Sequence, residues 1–452
     1  MRVVQAVAVA IVAVSLVTAA GARPLAAWRR LPGTVDNFGE PGLARTSDGV
    51  LHVVYARKNG TKQDLVHAPV SPAGSVGATT VALAGWASMS YPDLLRMSDG
   101  SLRVFFGGIR SINPGETNDA LNTATAPANG VSWTLQPGKA AQATWAYATS
   151  YAGAGLAKDG TPISSWAGTP GLGFHYGVNP ADPDRAIPQS GCCLYNPDVA
   201  VDASSGQAWV GFSSNESATP GLFANAIGPG GPQGGRHLAP GSTVGKSFNQ
   251  QLSRAQISAR IGAGGVFLAY GQGYPSYNSV ALWRVDSEKP QLVIKADSVR
   301  HAALAAAPEG RMWLMWDRNG TIYATRTNHA ATRVEPVTAL KPPGSGSVYE
   351  LDGEGSLGPL DVFANDGQGF WHQRVHPKLT LSASSKKAGK GRVITFRVLD
   401  AGDPVAGATV IVGGRTLKTS GAGRTTLRQP RAKTVKGTAS KAGYVSASLT
   451  VR

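Results

Sequence analysis

The sequence predicts an all-β protein: a β-propeller followed by a small β-sandwich domain. Three observations carry this prediction, namely a composition rich in glycine and proline, a hairpin pattern that recurs seven times, and a change of character after residue 376. The 452 residues include 57 Gly and 29 Pro, and 42% of them are hydrophobic. Such a chain is too apolar to be disordered and too rich in glycine for a helical bundle. A collagen-like protein, a coiled coil and a multi-span membrane protein are also excluded.

The first 22 residues are typical of a secretory signal peptide. Arg2 precedes an apolar run that ends at Ala20, and Ala20-Gly21-Ala22 resembles a cleavage site of small residues. The apolar run is also long enough for a membrane anchor, but the small residues before Arg23 favour cleavage. We therefore expect the mature protein to be secreted or held at the surface of a bacterial cell.

One pattern recurs through residues 30–376: a short strand, a turn that ends in glycine, and a second strand rich in β-forming residues. The clearest copies are PGLARTSDG before VLHVVYAR and PDLLRMSDG before SLRVFFGG. A further candidate strand follows each pair, and four strands every 45–60 residues or so are typical of a propeller blade. We predict seven blades over residues 30–376, with six blades and an irregular closure as the alternative. The turn glycines are Gly49, Gly100, Gly160, Gly206, Gly265, Gly310 and Gly358.

Residues 377–452 have a different pattern, in which short β runs alternate with glycine turns. About seven strands in roughly 75 residues suit a small sandwich. The segment PVAGATV, a Thr-Ser-x-x-Gly turn and a late Gly-Tyr pair resemble bacterial Ig-like and carboxypeptidase-regulatory-like modules. The resemblance implies a spacer or a surface-adhesion unit and not a catalyst.

Most of the net charge of +16 lies in this C-terminal module. From Lys378 to Arg452 there are 15 Lys and Arg against two acids, Asp400 and Asp403. Such an excess favours a polyanionic cell surface, such as an acidic glycan, teichoic acid or a membrane. A solvated surface that only keeps the protein soluble is the alternative. We do not expect a nucleic-acid partner, and we expect a monomer.

Ligands of a propeller bind in its central funnel, which is lined by the residues that start each first strand and end each second strand. The Ser-Asp-Gly turns lie on the opposite face, so their acids are predicted to be structural. The predicted funnel is rich in groups that stack on sugar rings or bind hydroxyls and carboxylates. A generic polar rim is the alternative. The binding candidates in this set are Arg110, Tyr151, Asn196, Arg254, Arg300 and Arg318.

The two cysteines, Cys192 and Cys193, are adjacent and have no other partner within the chain. Neighbouring Cα atoms are about 3.8 Å apart, below the usual disulfide range, so a bond between them would close a strained ring. We predict a vicinal disulfide that gives a sugar face a stiff apolar plate, with a reduced or intermolecular pair as the alternative. Two thiols are too few for structural zinc, and we expect no metal and no cofactor.

The segments PDLLRMSDGSLRVFF and EPGLARTSDGVLHVVY resemble strands of the BNR-type propellers of the sialidase superfamily. The segment Ala128–Trp133 resembles an Asp-box with Asn129 at the position of the aspartate. The resemblance covers about 345 residues. It implies an Arg clamp on a substrate carboxylate, an acid that protonates the leaving group, and a Tyr nucleophile assisted by a Glu, which is an exception to the usual pair of carboxylates.

The order of these groups in the family implies roles for particular residues of this chain. Tyr349 would be the nucleophile, Glu216 its helper and Asp93 the acid. The family opens its first blade with Arg-Ile-Pro, whereas this chain has Gly39-Glu40-Pro41. The implied activity is that of a sialidase-like glycoside hydrolase. Its substrate-binding residues would be Arg254, Arg318, Arg300, Arg110, Tyr151, Asn196, Cys192 and Cys193.

Two other functions fit the same scaffold. A non-catalytic glycan-binding or adhesion propeller would not place an acid and a nucleophile about 5 Å apart, as retaining chemistry requires. A polysaccharide lyase would use Tyr151 or His301 as the base and an arginine to neutralise a uronate.

Overall fold

The structure is a computed structural model, and it describes most of the chain from residue 27 onwards. The predicted signal peptide and the Cys192-Cys193 pair lie outside the described residues. The described ranges are 27–35, 39–89, 91–110, 120–136, 151–167, 171–179, 181–189, 194–216, 218, 220–242, 254–274, 276–344, 346–430 and 433–452.

The fold is all-β: strands make up 57% of the structure, and the described residues contain no α-helix. The first strand, β1 (Arg29–Arg30), joins a sheet formed much later in the chain. Sheet 1 contains β2–β5 (Gly42–Arg45, Leu51–Asn59, Lys62–Val70 and Thr80–Trp86). Sheet 2 contains β6–β10 (Ser88–Met89, Asp93–Arg96, Leu102–Ile109, Ala120–Ala126 and Thr134–Leu135).

Four similar sheets follow along the chain. Sheet 3 contains β11–β14 (Ala152–Leu156, Pro162–Ala167, Gly171–Tyr176 and Arg185–Pro188). Sheet 4 contains β15–β18 (Leu194–Val201, Ala208–Ser214, Gly221–Gly228 and Gly231–Leu238). Sheet 5 contains β19–β22 (Ile257–Ala259, Val266–Gln272, Ser279–Arg284 and Leu292–Lys295). Sheet 6 contains β23–β26 (Ala302–Ala306, Met312–Arg318, Thr321–Arg326 and Thr338–Leu340), with a short 3₁₀ turn at Pro308–Gly310.

Sheet 7 combines the two ends of this repeated region. Its strands β27–β29 (Glu350–Glu354, Leu360–Asn365 and Phe370–Val375) pair in chain order, and β1 adds the outermost strand. Arg29 pairs with His372 and Arg30 with Trp371, so the start of the described chain is held by its last repeated sheet.

The first strands of these sheets form a closed ring. Strands β2, β7, β11, β15, β19, β23 and β27 each contact the next, and β27 contacts β2. The arrangement of four-stranded antiparallel sheets is therefore propeller-like.

A cluster of buried hydrophobic residues lies between each pair of neighbouring sheets around this ring. Strand β24 shows why its sequence, MWLMWDR, is apolar nearly throughout. Trp313 and Met315 pack towards sheet 7, whereas Met312, Leu314 and Trp316 pack towards sheet 5. Alternate side chains point to opposite faces of a strand, and both faces of this sheet are covered.

The turns between the first and second strands need glycine. All seven predicted turn glycines have a positive φ, from 72° to 104°, which glycine adopts without the cost that a side chain would bring. This part of the sequence-based prediction is confirmed.

Two further sheets follow residue 376. Sheet 8 contains β30–β32 (Thr380–Ala388, Gly391–Asp400 and Asp403–Pro404) and β35 (Arg424–Gln429). Sheet 9 contains β33 and β34 (Thr409–Val412 and Arg415–Lys418) with β36 and β37 (Val435–Ser440 and Ala447–Val451). Their facing residues share one hydrophobic cluster that includes Ile394, Phe396, Val410 and Val412. No helix in the described part of the chain is long and apolar enough to cross a membrane.

Candidate functional site

The starts of the first strands converge on one arginine. Arg254, just before β19 of sheet 5, donates a hydrogen bond from Nη2 to the carbonyl of Pro92 at 2.7 Å. Its Nη1 lies 3.5 Å from Oδ1 of Asp93, and its Nε lies 3.7 Å from Oε2 of Glu40. The guanidinium carbon is also 5.7 Å from the centre of the Tyr151 ring. We call the space inside the ring of first strands the channel. One side chain from sheet 5 thus contacts residues of sheets 1, 2 and 3 in this channel.

The carboxyl groups around Arg254 outnumber it. Burial raises the pKa of Asp93, and burial followed by the charge of Asp93 raises that of Asp198 well above its ordinary value. Burial also raises the pKa of Asp352 to about 7. Burial alone would lower the pKa of Arg254, but Asp93, Asp198 and other carboxylates outweigh it and raise that pKa. The arginine therefore stays charged, while burial favours the neutral form of the acids around it.

A tyrosine and a glutamate meet beside Arg254. The Tyr151 hydroxyl donates a hydrogen bond of 2.9 Å to Oε1 of Glu350, and both residues are buried. Burial and then Glu350 raise the pKa of Tyr151, so the phenol keeps its proton. Burial and the nearby Glu350 also raise the pKa of Glu40 well above its ordinary value. The group can therefore hold protons, but it offers little net positive charge to a substrate carboxylate.

Arg254 also lines a cavity of about 310 Å³. Asp93, Asp198 and Asp352 line it together with apolar side chains such as Leu43 and Leu304. In the described part of the chain, no group of three or more His, Cys, Asp or Glu side chains is arranged to hold a metal ion.

The three predicted catalytic residues have separate surroundings. Asp93 lies beside Arg254. Tyr349 packs under Arg300, whose guanidinium carbon is 5.5 Å from its ring centre. Glu216 is buried, accepts a hydrogen bond of 3.2 Å from Ser214 and forms an ion pair with Arg236 of β18. None of the contacts among described residues joins these three side chains.

The predicted binding residues divide into a buried set and an exposed set. Arg254 and Tyr151 lie together in the channel, and the Asn196 carbonyl accepts a hydrogen bond of 2.9 Å from the backbone of Ala255. The other three arginines lie towards solvent: Arg300 covers Tyr349, Arg318 is 42% exposed and 3.5 Å from Asp297, and Arg110 is exposed after β8. Cys192 and Cys193 lie outside the described residues.

Sequence reasoning missed two acids of this cluster, Asp198 and Asp352. It placed Glu40 and Glu350 at the starts of first strands that line the funnel but gave them no site role. A comparison of the repeats could have found Asp198, because Pro197-Asp198 stands where the second repeat has Pro92-Asp93. Gly39, and not Glu40, stands at the position where the sialidase resemblance would place an arginine, and Glu40 follows it.

Two other repeats have a glycine, Gly42 or Gly153, at the position of Asp93 and Asp198, and the reason is steric. A Cβ atom on Gly42 would lie 2.9 Å from the backbone nitrogen of Leu94, and one on Gly153 would lie 2.5 Å from the Cα of Asp198. Both distances are too short for real Cβ atoms, so the first strands of these neighbouring sheets can approach only because glycine occupies one side.

No protein-family model matches the chain, and no curated protein matches its sequence. Solved structures that resemble it include a protein of unknown function from Dyadobacter fermentans, with 11% identity, a TM-score of 0.43, and coverage of 77% of this chain and 98% of that one. The polysaccharide lyase Uly1 has 10% identity and a TM-score of 0.44, with coverage of 76% and 91%. A chain of a mitotic checkpoint complex has 12% identity and a TM-score of 0.44, with coverage of 82% and 98%. With TM-scores below 0.5, these similarities say nothing about what this chain binds or does.

Proposed function

We propose that this chain is an exported glycan-binding protein with a seven-bladed propeller, a C-terminal sandwich module and a glycan site at the mouth of its channel. Seven sheets around a ring of first strands, with a hydrophobic cluster between each neighbouring pair, support the blade count. The apolar N-terminal run and the small residues before Arg23 support export.

The contact between Arg300 and Tyr349 carries the proposal of a glycan site. Tyr349 is half-buried at the start of sheet 7, and the exposed Arg300 lies over its ring at 5.5 Å. Tyr91 and Tyr195 are half-buried at the corresponding positions of sheets 2 and 4. Aromatic faces stack on sugar rings, and a guanidinium group held by an aromatic ring donates hydrogen bonds to sugar hydroxyls.

Burial favours binding over turnover as the function of this end of the channel. Glu40 and Glu350 are each 1% exposed, Tyr151 is 2% exposed and Arg254 is 6% exposed. A catalytic group must touch the bond it breaks, and these groups touch one another instead. The accessible groups, Tyr349 and Arg300, supply stacking and hydrogen bonds but no acid.

A second candidate, a glycan-cleaving enzyme, is favoured by the hydrogen bond from Tyr151 to Glu350 beside Arg254. Tyrosine, glutamate and arginine are the groups that the sialidase resemblance implies, and Tyr151 is also the base that a lyase would use. In this candidate the reacting pair is Tyr151–Glu350 in place of Tyr349–Glu216, and Glu40 carries the proton for the leaving group.

One set of variants tests both candidates. The mature protein is applied to a glycan array, and its best ligand is titrated against wild type, Tyr349→Ala, Arg300→Ala and the control Arg284→Ala, an exposed arginine that pairs with Asp286. The same proteins and Tyr151→Phe are incubated with fluorogenic glycosides, including a sialoside, and with uronate polysaccharides.

Loss of binding in Tyr349→Ala and Arg300→Ala alone, without turnover, supports the binding protein. Turnover that disappears in Tyr151→Phe would replace it with the enzyme. Absence of both binding and turnover on every glycan overturns both candidates.

A further inference from the structure

The two acids of the basic C-terminal module face the sheets of the main body. Asp400 is buried, and its Oδ2 accepts hydrogen bonds from Nη2 of Arg326 at 2.5 Å and from the Tyr444 hydroxyl at 2.9 Å. It also lies 3.6 Å from Nη1 of Arg311. Arg326 lies against two aromatic rings. Its guanidinium carbon is 5.6 Å from the centre of the Trp313 ring and 5.4 Å from the centre of the Tyr444 ring.

Asp403 takes part in the same contact. Its Oδ2 lies 2.9 Å from Nη2 of Arg311 and accepts a hydrogen bond of 2.9 Å from the backbone of His329. Both acids thus neutralise arginines of sheet 6 and its adjoining segments. Because Asp400 and Asp403 are the only acids between Lys378 and Arg452, the rest of the module's surface has cations and no carboxylate to balance them.

The outer face of sheet 8 collects four of these cations around a row of hydroxyl groups. The register places Ser382, Arg397 and Arg424 side by side, then Ser384, Thr395 and Thr426, then Lys386, Val393 and Arg428. The side chains of Arg397, Arg424, Lys386 and Arg428 are exposed. We call this surface the cationic face.

In the described part of the chain, no side chain pairs with the cationic face: none of its four basic side chains makes a hydrogen bond or an ion pair there. Arg397 and Arg424 are direct cross-strand neighbours, and like charges in that position are destabilising. An anionic ligand that spans the pair would remove this repulsion.

We infer that the cationic face binds an acidic polysaccharide. Arginine pairs with carboxylate groups in a bidentate manner. The hydroxyls of Ser384, Thr395 and Thr426 can donate hydrogen bonds to sugar hydroxyls and accept hydrogen bonds from them. Arg424 and Arg428 are four residues apart on one strand, about 13 Å, so the face suits a polymer with repeated charges. The face has no exposed aromatic or large aliphatic side chain to insert into a membrane, and the described residues form no α-helix that would enter a nucleic-acid groove. This site is separate from the proposed site at the mouth of the channel.

The test uses the full mature chain and immobilised polygalacturonate, with neutral dextran as the uncharged polymer. The variant Arg397→Gln/Arg424→Gln is compared with Lys418→Gln/Lys436→Gln, which removes the same charge from exposed positions on sheet 9. Thermal unfolding checks that both variants fold. We expect the cationic-face variant to bind polygalacturonate at least about tenfold more weakly, and the control less than about twofold more weakly.

Two further probes are anionic phosphatidylserine vesicles and duplex DNA. Equal loss in both variants, or no loss in either, overturns the inference, because binding would then depend on net charge or on another surface. Vesicles or DNA that bind as tightly as polygalacturonate and depend on the same two arginines would also overturn the assignment to a polysaccharide. A Tyr349→Ala protein that still binds polygalacturonate separates this site from the one at the channel mouth.

Discussion

Replacing Arg254 by methionine tests whether one guanidinium group holds the acid cluster of the channel together. At neutral pH the change would leave Asp93 and Glu40 without the cation that lies 3.5 and 3.7 Å away. Removing one partner of a buried ion pair costs about 3–5 kcal/mol. The loss also includes the hydrogen bond to Pro92 and the contact with the Tyr151 ring, together about 1–2 kcal/mol.

The cost should depend on pH with a definite sign. Acids whose pKa is raised in the folded protein contribute stability that is present at low pH and lost as pH rises through the folded pKa. Without Arg254 the pKa values of Asp93, Asp198 and Asp352 would rise further, because the guanidinium lowers all three. The variant should therefore lose more stability near pH 7.5 than near pH 4.5, by about 2 kcal/mol or more.

Denaturant unfolding of wild type, Arg254→Met and Arg254→Lys at these two pH values measures the difference. Lysine keeps the positive charge but loses the planar guanidinium group, so Arg254→Lys should lose less stability than Arg254→Met. Arg284→Met, at an exposed ion pair with Asp286, should cost less than about 1 kcal/mol at both pH values. A methionine variant with the same loss at both pH values would refute the electrostatic reasoning and leave only packing.

Three further predictions concern single sites. Asp352→Asn should be more stable than wild type above pH 7, by up to about 4 kcal/mol. The reason is that wild type loses stability as pH rises from the ordinary aspartate pKa to the pKa of about 7 at this site. Urea unfolding as a function of pH measures the difference. Gly153→Ala should cost about 1–3 kcal/mol in thermal or denaturant unfolding because its Cβ meets Asp198, whereas Gly235→Ala, with nothing within 4 Å, should cost far less. Burial and then His52 lower the pKa of His67 to about 4, so the unfolded chain is protonated at a higher pH than the folded chain. Wild type should therefore lose up to about 3 kcal/mol of its free energy of unfolding between pH 6.5 and pH 4. His67→Gln should flatten this dependence of stability on pH.

The sequence was sufficient to predict the repeated hairpins. Each turn glycine has the positive φ that its turn requires, and the strong strand after it is apolar on both faces, as in β24. The pairing of β1 with sheet 7 could not be predicted in the same way. Two residues, Arg29 and Arg30, show no hydrophobic period, and their partners lie more than 300 residues away in the chain.

The candidate site was predicted only in part. Arg254 and Tyr151 were chosen because they start first strands, and such positions meet around a channel. Asp93 also starts a first strand, although its role as the acid came from the family resemblance. Glu216 and Tyr349 were chosen from the order of residues in a resembling family, and the structure gives them different neighbours, Arg236 and Arg300. Order along the chain does not determine which strand faces which, so it cannot establish that two side chains meet.

The acid cluster also explains why the first strands of the repeats differ from one another. At one position these strands carry aspartate in sheets 2 and 4, and glycine in sheets 1 and 3, where a Cβ atom would meet the neighbouring backbone. Each aspartate accepts a hydrogen bond of 2.8 Å from the next backbone N–H, at Leu94 and at Val199, so the acids also shape the strands that carry them. The carboxyl groups then face a narrow channel, where Arg254 balances some of their charge and raised pKa values remove part of the rest. The same close approach of strands therefore buries Glu40, Glu350, Tyr151 and Arg254, and it leaves Tyr349 half-buried and Arg300 exposed.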